Sequence, residues 1–177
     1  MKVIFLDIDG VIQPYDADYR FYAIKEQNEK INILSKEYKV DYSQYSAYDV
    51  MAAYYDWNPQ AISRLKYILE QTNAKIISST DWKRDNKPFL IRDLLKLYNL
   101  DKFWYADNII IKDQKPIYEI RNLEIQDSLS KYPIDNYVIL DDMKELKDYY
   151  PNNAVITNNY LSINDMNDCI KILKKTK

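Results

Sequence analysis

Histidine is absent from this 177-residue chain, and glycine and cysteine occur once each. Each scarcity removes a class of chemistry. Without imidazole there is no Ser-His-Asp triad, no HExxH zinc site and no histidine acid or base. One glycine cannot build a P-loop or a GxGxxG dinucleotide loop. The lone Cys169 excludes internal disulfides and CxxC metal knuckles, and gives no sign of an oxidising compartment. It is expected as a small buried residue on the apolar side of the last helix. No apolar run approaches the length of a membrane span. The opening residues reach Asp7 too soon for a secretory signal. A cytoplasmic protein with no membrane partner is therefore expected. Any chemistry must come from carboxylates, hydroxyls, Lys, Arg and an oxygen-ligated metal.

Charge is nearly balanced, with 25 Lys+Arg against 27 Asp+Glu and a net charge of −2. That balance argues against stable binding of long nucleic acid by phosphate neutralisation. The 18 tyrosines, among many Lys, Asn and Ile, read as compositional drift rather than as a site. Gly10 gains interest from the same bias. Where glycine is so scarce, the one that remains is expected where a side chain is not tolerated.

The length suits a single domain. Residues 3–6 form a short, continuous apolar run, the mark of a strand buried on both faces of a parallel sheet. Residues 14–56 are polar and Tyr-rich, with a helix expected over 23–38 and weaker periodicity over 42–55. They have no strand to pair with the first run and read as an insertion. Asn58 or Pro59 opens a helix whose Ile62, Leu65, Ile68 and Leu69 share a face, and Asn73 breaks it. A second buried strand follows at 74–78. Pro88 is expected to open a helix with Leu90, Ile91, Leu94, Leu95 and Leu97 inward. A weaker strand falls within 103–106 or 108–111. Residues 117–129 read as an amphipathic helix with Ile120, Leu123 and Ile125 in the core. Strands are expected at 137–140 and 154–157, with a short helix over 144–149 between them. Ser162 and Asp165 form a capping box for a closing helix with Ile170, Ile172 and Leu173 inward. This alternation predicts an α/β fold built on a doubly wound, mainly parallel sheet.

Open α/β sheets carry their sites at the carboxyl ends of their strands. Three apolar runs here end in oxygen: Asp7 and Asp9, then Ser79, Thr80 and Asp81, then Asp141 and Asp142. Helix capping explains one such residue per strand. It does not explain four acids at two strand ends, because clustered carboxylates resist ionising unless a cation sits among them. Mg²⁺ favours an incomplete carboxylate shell completed by water and phosphate.

The segment Phe5-Leu6-Asp7-Ile8-Asp9-Gly10-Val11 resembles the hhhDxDGV first motif of the haloacid-dehalogenase-like (HAD) phosphotransferase superfamily. Ile76-Ile77-Ser78-Ser79 is similar to its second motif and Val138-Ile139-Leu140-Asp141-Asp142 to its fourth. Arg121 or Lys115 fills the third, a loosely placed cation. More narrowly, Ser79-Thr80-Asp81-Trp82-Lys83 and Ile120-Arg121-Asn122-Leu123-Glu124-Ile125 resemble HAD domains associated with Swiss Army Knife RNA-repair proteins. Asn122 stands where that group commonly has glycine.

The resemblance implies a Mg²⁺-dependent phosphatase with a minimal or small cap made by residues 14–56. Asp7 would be the nucleophile, and Asp9 the acid and then the base. Ser79, or Thr80 in its place, would bind a phosphoryl oxygen, and Arg121 would neutralise charge. Asp7, the Asp9 carbonyl and Asp141 or Asp142 would hold the metal. Gly10 would let the backbone turn beside it, and Trp82 would either stack on a nucleobase or anchor the rim. The implied substrate is a phosphorylated small molecule or a nucleic-acid end. A sugar-phosphate phosphatase and a non-catalytic HAD-fold binding module are the rivals.

Overall fold

The computed structural model describes residues 1–85 and 87–175, leaving aside the side chains of Arg84 and Asp85. Five parallel strands form one sheet: β1 (Lys2–Leu6), β2 (Lys75–Ser78), β3 (Trp104–Asp107), β4 (Asn136–Asp141) and β5 (Ala154–Ile156), in the order β3-β2-β1-β4-β5. Of the two candidate ranges for the third strand, the structure selects the earlier one.

Alternation along β1 creates two cores. Ile4 and Leu6 face one cluster with Ile76, Val138 and Leu140. Val3 and Phe5 face the other with Ile77 and Ile139. Both faces are apolar because helices cover both. α4 (Pro59–Thr72), α5 (Leu90–Leu95) and α8 (Ile163–Lys174) cover the first face, and α6 (Ile117–Lys131) and α7 (Leu146–Tyr149) the second.

Local chemistry sets the helix ends. The Asn58 side chain accepts from the Gln60 and Ala61 amides at 2.9 and 3.0 Å, Pro59 opens α4, and Asn73 closes it at φ +56°. Ser162 and Asp165 make the expected capping box, and Cys169 is fully buried. α5 begins at Leu90 rather than Pro88, because Phe89 adopts φ +66° before the helix starts. α7 likewise starts two residues later than the pattern suggests.

Residues 14–56 fold as α1 (Tyr19–Tyr22), a 3₁₀ turn, α2 (Gln27–Tyr38), a second 3₁₀ turn and α3 (Ala47–Tyr55). The expected helix over 23–38 is thus shorter and preceded by a separate turn. Ile31, Leu34, Tyr42, Tyr45, Val50 and Ala53 join the first core. A buried ion pair between Arg20 and Asp56 closes the segment's two ends on each other. No helix among the described residues is long and apolar enough to cross a membrane.

The chain runs from β1 outward to β3, then returns to the other side of β1 with β4. Strand direction of winding therefore reverses between β1 and β4, and a crevice opens at their carboxyl ends.

Candidate active site

Asp7 and Asp141 leave adjacent strands at that crevice, and the β1–β4 ladder continues one step further through the Asp7 amide, which donates to Leu140 O at 3.0 Å. Parallel register makes the two carboxylates neighbours. With Asp142 they form a group in which one carboxylate oxygen from each residue lies within 4.8 Å of the others. Burial pushes the Asp7 carboxyl up to about 8; Arg121 opposes the shift and Asp141 adds to it. Burial also raises Asp141, again against Arg121, and raises Asp142 with help from Asp9 and Glu145. The crevice is thus an anionic pocket with less positive charge than its acids call for. These oxygen donors fit a hard divalent cation.

Arg121 is the charge that is present. It is 1% exposed and lies on the first third of α6. Its Nη1 donates to Asp141 Oδ2 at 2.9 Å and to the Ser79 carbonyl, and lies 3.4 Å from Asp7 Oδ1; Nη2 lies 3.3 Å from Asp81 Oδ1. Although burial opposes the charge, Asp7, Asp141 and Asp81 hold the guanidinium firmly protonated. Lys115, the other candidate cation, is exposed and pairs at 3.8 Å with Asp113. The structure brings Arg121 to the crevice and leaves Lys115 at the surface.

The hydroxyls divide their work. Ser79 Oγ accepts from Asn108 Nδ2 at 3.0 Å, and Asn108 Oδ1 accepts from Ser128 Oγ at 2.6 Å, a buried chain tying β2 to α6. Thr80, 1% exposed, lies beside Asp7 and opposes the rise of its carboxyl. Ser79 thus meets Arg121 through its carbonyl and Asn108 through its hydroxyl.

Asp9 sits in a tight loop. The Ile8 carbonyl accepts from the amides of Val11, Ile12 and Gln13, and the Gly10 carbonyl accepts from Thr157 Oγ1 at 2.7 Å. Gly10 has φ +71°, and a Cβ there would stand 2.4 Å from the Tyr15 hydroxyl and 2.9 Å from Asp142 Cβ. Both the backbone conformation and the space require glycine. Asp9 Oδ2 accepts from Trp82 Nε1 and Oδ1 from Gln13 Nε2, each at 2.9 Å. A cleft of about 260 Å³ opens over this carboxylate, bounded by Arg20, Tyr48 and Asp49 from the insertion and by Asp81 and Trp82.

Several site residues escape a reading based on apolar periodicity. α6 turns Ile120, Arg121, Asn122, Glu124, Ile125 and Ser128 inward, while Leu123 is only half-buried. Its expected apolar stripe is interrupted because part of this face meets the polar crevice. Glu124 is fully buried and accepts from Lys83 Nζ at 2.7 Å and from the Ile111 amide at 3.1 Å. That ion pair fastens the turn after β2 to the helix carrying Arg121. Gln13 had no signal of its own; its position four residues beyond Asp9 acquires meaning only from the loop geometry.

The family model described as the HAD domain in Swiss Army Knife RNA repair proteins matches residues 3–167. No curated protein and no solved structure matches the chain. The match runs from the first residues of β1 into α8 and so takes in every strand of the sheet and every acid of the crevice. The chain belongs to the HAD domains of Swiss Army Knife RNA repair proteins.

Proposed function

We propose that the protein is a Mg²⁺-dependent phosphohydrolase that works through an aspartyl-phosphate on Asp7, with a phosphate-ended nucleotide or polynucleotide as substrate. The observation that carries this reading is the juxtaposition of Asp7 with Arg121 at 3.4 Å, inside a three-carboxylate group and two residues before a tethered Asp9.

Asp7 Oδ attacks phosphorus as the bond to the leaving oxygen breaks, and Asp9 gives that oxygen its proton. The alcohol departs, leaving phosphorylated Asp7 and ionised Asp9. Asp9 then takes a proton from water as the water oxygen attacks phosphorus, and the Asp7 carboxylate is released with phosphate. Arg121 balances charge on the phosphoryl oxygens, and Ser79 or Thr80 supplies the hydroxyl that shares in binding them. Asp7, Asp141 and Asp142, with the Asp9 carbonyl, are the groups that would hold Mg²⁺. The ion would supply Lewis-acid polarisation of the phosphoryl oxygens and relief of carboxylate repulsion. Residues 14–56 act as a small cap, with Arg20, Tyr48 and Asp49 forming the wall that the leaving group meets.

Phosphate release from an aryl phosphate and from phosphate-ended ribonucleotides, with Mg²⁺ and with chelator, tests this reading. Metal-dependent release is expected. Absence of release from the whole panel, in a protein that binds Mg²⁺, would favour the non-catalytic module. Faster release from sugar phosphates than from nucleotides would reassign the substrate.

Stability should report the same site. The folded chain keeps a proton on Asp7 up to about pH 8, whereas the unfolded carboxyl loses it near pH 4. The unfolded state then binds fewer protons, so stability in chelator falls as pH rises through that window, by up to about 1.4 kcal/mol per pH unit for one proton. Mg²⁺ competes with the proton and should raise the melting temperature more at pH 8 than at pH 6. Identical melting curves with and without Mg²⁺ at both values would remove the metal from the proposal.

A further inference from the structure

The indole of Trp82 spends its only polar group on Asp9. Its Nε1 donates to Oδ2 at 2.9 Å while Gln13 Nε2 donates to Oδ1 at the same distance. The two donors come from opposite sides: Gln13 from the β1 loop and Trp82 from the 3₁₀ turn after β2. Both side chains are themselves fixed. Gln13 is 6% exposed and its amide donates to the Ile8 carbonyl. Trp82 packs against the first core, with its ring 6.1 Å from that of the buried Trp57. Each carboxylate oxygen keeps a second lone-pair direction, and Asp9 lines the cleft above it.

We propose that Trp82 and Gln13 are positioning residues: they clamp the Asp9 carboxyl in the rotamer that points its free lone pairs at the leaving oxygen. This rests on the reading of Asp9 as acid and base. Trp82 then acts through its N–H rather than as a stacking platform for a nucleobase. A free Asp side chain loses productive geometry by rotation about two bonds, and a donor on each oxygen removes that freedom without supplying a competing charge. The physical need is specific to this chain, which has no histidine to share the proton-transfer work.

The clamp predicts a dependence on leaving group. Formation of the aspartyl-phosphate needs a proton donor when an alkoxide departs, and hardly needs one when p-nitrophenolate departs. Trp82→Phe keeps the ring and deletes the donor. Its kcat/KM, which reports the first step, should fall about 10- to 100-fold for an alkyl phosphate but less than about threefold for p-nitrophenyl phosphate. Gln13→Met should give the same pattern, and serves as a second variant if the first folds poorly. Equal losses on both esters, or no loss, would overturn the clamp.

A measurement independent of turnover separates this inference from the function it rests on. The chain has three tryptophans, so ¹⁵N spectra contain three indole N–H signals, and Trp82→Phe identifies one by its loss. Asp9→Ala should move that signal upfield and leave the other two near their places. If wild type releases no phosphate from either ester or from the phosphate-ended ribonucleotides, the phosphohydrolase reading fails and the indole shift alone decides the clamp. A Trp82 signal indifferent to Asp9→Ala overturns it.

Discussion

Asp7→Asn will release no phosphate, a loss of more than about a thousandfold, and in chelator will melt at or above the wild-type temperature. Both outcomes come from one feature. The wild-type carboxyl is 5% exposed and burial holds it near 8, with Asp141 and Asp142 close by. Asparagine has nearly the same shape but has no charge to desolvate and no nucleophilic oxygen. Removing an acid from a crowded anionic pocket relieves repulsion, while Arg121 keeps its 2.9 Å bond to Asp141. Mg²⁺ should stabilise the variant less than wild type, because one donor has become a weaker ligand. Phosphate-release assays and melting curves check the three expectations together. Turnover near the wild-type rate would place the nucleophile elsewhere.

Arg121→Ala should be the most destabilising substitution in the crevice. The guanidinium is fully enclosed and bridges β1, β4, the end of β2 and α6. Its removal leaves Asp7 and Asp141 buried without a cation. Breaking such a network costs about 3–5 kcal/mol, roughly 6–20 °C of melting temperature at this chain length. The loss should shrink at low pH, where the stranded carboxyls bind protons, and with Mg²⁺, which replaces part of the missing charge. Turnover should fall with it, since Arg121 is the cation paired with Asp7. Arg121→Lys should recover some stability but little turnover, because an ammonium does not reproduce the fork that reaches three carboxylates and a carbonyl. Lys115→Ala is the control. The residue is exposed with only a 3.8 Å surface pair, so stability and activity should hold. A reversed result would return the third-motif role to Lys115.

The buried Lys83–Glu124 pair gives these effects a framework. It links the turn carrying Asp81 and Trp82 to the helix carrying Arg121. The two segments that touch Asp9 and Asp7 from outside β1 are therefore fastened to each other, and the crevice need not be assembled by substrate.

The sequence by itself determined the layered α/β architecture. Continuous apolar runs such as 3–6 and 137–140 can only be satisfied between two helical layers, and the caps at Asn58 and Ser162 act within a single turn. It also determined that Asp7, Asp9, Asp141 and Asp142 stand at strand ends, because the change from apolar to acidic is abrupt and local. Gly10 was legible for the same reason, as a lone exception to a glycine-poor composition. Distances between elements carry no such local signature. Which cation meets Asp7 depended on how α6 turns over the sheet: Arg121 and Lys115 are equally basic in sequence, and one is buried while the other is exposed. The partners of Ser79, Asn108 at its hydroxyl and Arg121 at its carbonyl, come from elements far along the chain. Trp82, read in sequence as a stacking platform or a rim anchor, gains its bond to Asp9 only when the fold closes across 73 positions. Periodicity reports which side chains avoid water. A polar side chain's role is set by the partner that long-range folding brings to it, and here only the tertiary structure supplied those partners.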